Sequence, residues 1–412
     1  MAVYYIDPQN GKAENTGLSP EYPIKRETDI APQPGDTVLF KRGSFIRDFL
    51  HNVNGEDGNP VTYASYGEGE KPVFCGSVDC SDPALWKQVA ANVWMTDAFL
   101  SEAGNFVFNS GEYCGTLRWT ANELTEQGDF FDNSFGCSEQ HLAFTQEHQV
   151  YLYSVTNPGI YYQHIECVVY GNRILATAGQ NQIIRDLCFT HSGVHAIAGA
   201  ANCRNFKVEN CDFSYIGGCA WNGEMKIRFG NGVEMWDTCD NVEVIGCTFD
   251  EIYDSAVTHQ GYGRECKQAD HLIIRDNTFF RCGMAAYEQR DKMPVYAEFC
   301  HNTCIDAGAG FSKNGEIMPR SSEIWPQPMG HHIFLWRMDV PDEQGELIIS
   351  DNDFGSAVYG AAIYSIICKD CEEQLTVQNN SYSGQKLLVA RLHGKNFENL
   401  PDFAAETGFE TA

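Results

Sequence analysis

Positive charge is scarce in this chain: 28 Lys and Arg stand against 56 Asp and Glu, a formal charge of −28. That balance argues against nucleic acid or an acidic membrane surface as a partner. It also disfavours a strongly anionic polymer as substrate unless a cation or a local basic patch intervenes. No run of 18 apolar residues occurs, so no membrane span is expected. The opening stretch Met1 to Asp7 has no basic segment followed by an apolar one. No secretory signal is read there, and the expected location is cytoplasmic. The 17 cysteines form no framework, which favours reduced thiols. Cys368-Lys-Asp-Cys371 is a lone CxxC, read as a loop beside a zinc or redox alternative. No HxH or DxD cluster is present, and the adjacent His331 and His332 would point to opposite faces of a strand. No metal is therefore expected. Helix-period segments are missing as well, so βαβ crossovers are not expected between the strands.

What the chain does contain is a recurring phrase: apolar–x–apolar, two polar residues, Asn or Cys, a small residue, then an aromatic. It reads Phe206 to Phe213, Val242 to Phe249, Leu272 to Phe279, Leu347 to Phe354 and Leu375 to Tyr382, with weaker copies at Ile183 to Phe189 and Ala297 to Cys304. The column Cys188, Cys211, Cys247, Asn277, Asn302, Asn352, Asn380 has spacings of 23, 36, 30, 25, 50 and 28 residues. Irregular spacing around a twenty-odd-residue repeat marks a solenoid with loops inserted in some turns. Apolar residues alternate with polar ones inside each copy, the period of a strand. A second short strand candidate follows each phrase: 232–236, 255–259, 284–288, 310–313, 361–364 and 387–391. The expected fold class is all-β, a parallel β-helix whose coils pair with one another. At an inward bend the column residues stack about 4.8 Å apart, Asn bonding along the ladder and Cys filling the same space.

The repeat resembles the pectin-lyase-like right-handed β-helix superfamily over about residues 165–395. The opening order Tyr4-Tyr-Ile-Asp-Pro8, Gly35-Asp-Thr-Val-Leu-Phe-Lys-Arg-Gly43, Pro60-Val-Thr-Tyr63 and Pro72-Val-Phe-Cys-Gly76 is similar to that of bacterial β-helix glycosidases. The resemblance implies a right-handed helix, with residues 1–76 forming an N-terminal cap and the first coils. Residues 77–165 read as an inserted small antiparallel β lobe. There Trp86, Trp94 and Trp119 form a small core or stack on sugar. Residues 166–395 are the catalytic β-helix, and residues 396–412 a C-terminal cover.

Aligning second strands places Trp236, His259 and Glu288 in one outward column, with Glu234 on the same face and Asp237 and Asp254 at strand ends. Two carboxyls flanking a cleft suit acetal cleavage, one protonated to release the leaving oxygen and one charged to activate water. Glu234, Asp254 and Glu288 are the candidate catalytic residues. Two coils put Glu234 and Glu288 about 10 Å apart, which favours inversion over retention. Gly230-Asn-Gly-Val-Glu234-Met-Trp236, Tyr253 to Gly261 and Trp325 to His332 resemble segments of bacterial β-helix proteins grouped with glycosidases. On these grounds Trp236, Asp237, His259, Gln260, Arg290, Trp325, His332 and Trp336 are candidate substrate-binding residues. The expected function is a glycoside hydrolase on an oligosaccharide or polysaccharide, without a cofactor. The alternatives are a polysaccharide lyase or uronate epimerase, which would use Ca²⁺ or bases such as Arg290, Lys313 or His259, and a non-catalytic glycan-binding solenoid. Nothing in the sequence decides the oligomeric state.

Overall fold

The computed structural model describes residues 1–96, 101–134, 149–170, 174–199, 202–222, 226–311, 329–338, 345–358, 360–384 and 388–410. Three long sheets run along the molecule, of ten, nine and nine strands. Successive coils contribute one parallel strand to each. In the coil around Asn277 these strands are Asp270–Arg275, Thr278–Cys282 and Ala285–Arg290. The first sheet already starts at Val3–Ile6, which pairs in parallel with Thr37–Lys41. No described residue before 77 is α-helical; the segment holds one short 3-10 turn, Glu27–Asp29.

The sharp bend between the first and second sheets explains the recurring phrase. Its corner residue is left-handed: Asp186, Asn210, Gly246, Asp276, His301, Asp351 and Asn379 have φ between 48 and 65°. Asn, Asp and Gly enter that region at least cost. The next residue points inward and builds the ladder. The backbone N–H of Cys247 donates to Asn277 Oδ1 at 2.8 Å. Asn277, Asn302 and Asn352 each donate their Nδ2 to the next asparagine in turn, ending at Asn380, at 2.8 to 3.1 Å. Each amide also donates to a carbonyl of the preceding coil, as Asn302 does to Ile274 at 3.0 Å. Beside the ladder Phe74, Phe189, Phe213, Phe249 and Phe279 stack with centroids 4.6 to 5.7 Å apart. Fully burying each such ring contributes about 2–3 kcal/mol.

Two expectations are corrected here. Cys188 is not a ladder residue: it pairs with Asp212 and Val73, so Leu187 takes the column position one residue earlier. Gly310 and Phe311 form a turn rather than a strand, and the third-sheet strand of that coil is His331–Trp336. Lys313 lies outside the described residues.

Residues 77–169 leave the helix between the second sheet and the third. They build two mainly antiparallel sheets around Trp86, Phe106, Phe108, Phe130 and Leu152. Trp86 lies in that core and Trp94 packs against it. The chain rejoins the helix at Ala176–Thr177, so the lobe stands beside the third sheet. At the far end Lys395–Phe397 folds back antiparallel on Leu388–Leu392. The helix Leu400–Thr407 then seats a buried Phe403 against the core. Among the described residues no helix is long and apolar enough to cross a membrane.

Candidate active site

The third sheet sets the site. Val233 pairs with Val257, Glu234 with Thr258, Met235 with His259 and Trp236 with Gln260. One coil on, Thr258 pairs with Glu288, and Glu288 with Phe334. Alternation sends Val233, Val257 and Tyr287 into the core. It sends Glu234, Thr258 and Glu288 outward in one column, with Trp236, Gln260, Arg290 and Trp336 beside it.

These columns floor a cleft of about 800 Å³. Its far wall is the hairpin of Ala220–Asn222 and Ile227–Arg228, which presents Trp221, Arg228 and Phe229. The lobe holds this wall: the Glu102 carboxyl group accepts from the Ala220 N–H, and Arg228 Nη2 donates to the Gly104 carbonyl at 2.7 Å. The hairpin returns through Gly230, where a Cβ would lie 2.1 Å from Gly217 Cα, so the two chains cross only as glycines.

Glu234 and Glu288 are both buried, yet their surroundings are opposed. Around Glu234, His195 Nδ1 lies 2.7 Å from Oε2, and Gln260 Nε2 donates to Oε1 at 2.6 Å. Burial pushes its pKa up. His195, then Arg290 and Asn231, outweigh that push and hold it below the usual value. Glu288 accepts from Trp336 Nε1 at 2.6 Å, Ser255 Oγ at 2.9 Å and Thr258 Oγ1 at 3.2 Å. Burial dominates there; Arg290 opposes it, the charge of Asp254 adds to it, and the pKa is raised. The cleft thus holds two glutamates whose acidities are shifted in opposite directions, Glu234 down and Glu288 up. Arg290 lies between the indoles of Trp236 and Trp336, 5.9 and 5.5 Å from their centroids. Tyr262 meets Trp236 edge-on at 5.2 Å.

Of the candidate site residues, Glu234, Asp254, Glu288, Trp236, Gln260, Arg290 and Trp336 all line this cleft. His259 does not. It points inward, with Nε2 3.1 Å from the Asp237 carbonyl and Nδ1 accepting from Gln289 Nε2 at 3.0 Å. The expected column was one residue out of register, and Thr258 stands where His259 was placed. His332 is core as well: its Nε2 donates to the Gly355 carbonyl at 2.9 Å and its ring stacks on Phe354. Burial lowers its pKa to about 4, so it stays neutral. Asp237 sits in a turn, accepting from the Lys267 N–H at 3.2 Å. Trp325 lies outside the described residues. The sequence reading missed His195, Phe229, Tyr262 and Arg337, which also line the cleft. His195 carries no motif of its own; continuing the register one coil back, where Ala198 faces Glu234, brings its bend into view. Among the described residues no group of three or more His, Cys, Asp or Glu is placed to hold a metal.

No family model matches the sequence, and no curated protein matches it. Solved structures do. One is the complex of XylC with xylose, at TM-score 0.56 and 10% identity over 95% of this chain and 71% of that one. A second is the GH136 lacto-N-biosidase from Eubacterium ramulus, at TM-score 0.52 and 13% identity, covering 94% of this chain and 62% of that one. The pectate lyase Pel9A matches at TM-score 0.50 and 12% identity, over 100% of this chain and 82% of its own. The likeness shows the fold alone, a right-handed parallel β-helix. The present chain spans less than two thirds of the lacto-N-biosidase it resembles.

Proposed function

We propose that the protein is a carbohydrate-active enzyme, a glycoside hydrolase that cleaves an oligosaccharide in this cleft with inversion. One observation carries the reading: two glutamates face the same cleft from alternate rungs, in electrostatic surroundings of opposite sense. Glu288 donates its proton to the glycosidic oxygen as the bond to the anomeric carbon breaks. Glu234 takes a proton from a water that attacks the same carbon from the opposite face. The products are an alcohol and a hemiacetal of inverted configuration. Two rungs of about 4.8 Å leave room for that water. Burial, with the like charge of Asp254 adding to it, raises the Glu288 pKa, and Arg290, which opposes that shift, also lowers the pKa of Glu234. Trp236 and Trp336 offer faces on which sugar rings stack. That solved relatives of the fold include a lacto-N-biosidase and a complex with xylose supports a sugar substrate.

The test is a glycan-library screen of the wild type beside Glu288→Gln, with the anomer of the first product read by NMR. Turnover by wild type alone, releasing an inverted hemiacetal, is expected. An unsaturated, ultraviolet-absorbing product would move the protein to the lyases. Binding without turnover would make it a glycan-binding solenoid.

A further inference from the structure

We infer that Cys368 and Cys371 form a dithiol–disulfide couple, a site of reversible oxidation separate from the cleft. The two sulfur atoms lie 2.9 Å apart. Cys368 is the N-cap of the single turn Lys369–Glu372, and a side chain at that position points towards the third residue beyond it, here Cys371. The Cys371 N–H donates to the Cys368 carbonyl at 3.1 Å, which holds the two residues at one-turn separation. Such a turn brings the Cα atoms within the roughly 4.4–6.8 Å that a disulfide spans.

Access distinguishes this pair. Cys368 is half-buried, whereas Cys371 is buried. Other sulfur neighbours exist: Cys80 touches Cys167, and Cys211 touches Cys247. All four of those residues are wholly buried, and burial pushes the Cys167 and Cys211 thiols well above the usual range. Burial keeps these sulfurs out of an oxidant's reach. Among the described residues, the Cys368 pair joins a half-buried cysteine to a buried partner in sulfur contact, the arrangement a redox-responsive dithiol needs.

The chemistry closes with a small-molecule disulfide of the glutathione type as oxidant. The Cys368 thiolate attacks one sulfur of that disulfide, forming a mixed disulfide and expelling one thiolate. The Cys371 thiolate then attacks the Cys368 sulfur, and a second thiolate leaves. The protein loses two electrons and two protons, and the oxidant ends as two thiols. The Cys368 N–H donates to the Met338 carbonyl at 2.8 Å, two residues beyond Trp336. The turn that carries the pair is thereby tied to the chain just after the His331–Trp336 strand.

The experiment equilibrates the folded full-length chain with graded mixtures of reduced and oxidised glutathione, traps free thiols by alkylation and reads intact mass and peptide maps. The expected result is one disulfide, a mass lower by two hydrogens, mapped to Cys368–Cys371 and absent from Cys368→Ser. That variant changes only the half-exposed sulfur, and its turnover should match the reduced wild type. Three results would overturn the inference. All 17 thiols could stay alkylatable across the series. The disulfide could map to another pair. Or Cys368 could stop at a stable glutathione adduct while Cys371 stays a thiol.

Discussion

Replacing Glu288 by Gln removes a proton donor and little else. The amide oxygen still accepts from the Trp336 indole, now 2.6 Å from the carboxylate. The amide nitrogen lies where the Ser255 and Thr258 hydroxyls can turn to accept from it. The fold should therefore hold, with an unfolding midpoint close to that of wild type. General-acid catalysis contributes about 10²–10⁴ in rate, or roughly 3–5.5 kcal/mol of barrier. The loss should depend on the leaving group. A sugar alcohol cannot depart without a proton and should show the full effect. An acidic phenol departs almost unaided, so its loss should shrink to about tenfold or less. The assay is kcat/KM for wild type and Glu288→Gln over a series of aryl glycosides of the sugar found by the screen. Equal losses on the best and worst leaving groups, at an unchanged midpoint, would refute proton donation by Glu288.

Other predictions follow from the same contacts. Glu234 works ionised, so activity is lost as pH falls through its lowered pKa. His195→Asn leaves burial less opposed, and the acid limb of kcat/KM should move towards neutral pH. Glu288 works protonated, so activity is lost as pH rises through its raised pKa. Trp336→Phe deletes a bond that favours the charged form, and the alkaline limb should move up. Asn302→Ala removes an amide that bonds Asn277, Ile274 and Asn352. At about 1–3 kcal/mol per orphaned buried group, the cost should be about 4 kcal/mol or more in urea unfolding, and Asn302→Cys should cost less. Burial raises Glu102 to about 8, with Asp132 adding to the shift and the Ala220 N–H opposing it. Because the folded pKa is raised, its contribution is complete below about 4.5 and fades as pH climbs to 8. Glu102→Gln should flatten that slope and stabilise the protein by up to about 3 kcal/mol at pH 7, read from unfolding midpoints across pH.

The architecture was readable because the ladder repeats a chemical type at an inward bend, and each copy announces itself by an Asn or Cys before an aromatic. The phase of the outer columns was harder. Ser255 and Ala285 each lie eight residues after their ladder residues Cys247 and Asn277, and they pair directly. Counting from the ladder would have placed Thr258 rather than His259 beside Glu288. No count works for Val233, because the hairpin of Ala220–Arg228 stands between it and Cys211. Cys188 was misread for a simpler reason: a leucine fills its coil's ladder position, and a neighbouring cysteine mimicked the type. His195 was illegible because its role depends on a strand end one coil away. The carboxylates stood out because acids seldom crowd a β-helix ribbon, while the same two-residue alternation cannot say which imidazoles turn inward.

The ladder also has an end. Asn380 donates its backbone N–H and its amide to the two oxygens of Glu410, at 3.0 and 2.7 Å. A carboxylate only accepts, so the relay of amides stops on a group with nothing to hand onward. The helix that follows the last coil plugs the greasy bore with Phe403. A solenoid with open edges would invite another copy to add its own first rung and grow a fibre. Here an acid and an aromatic stopper cover the last rung, so the edge most open to such growth is closed by the fold itself.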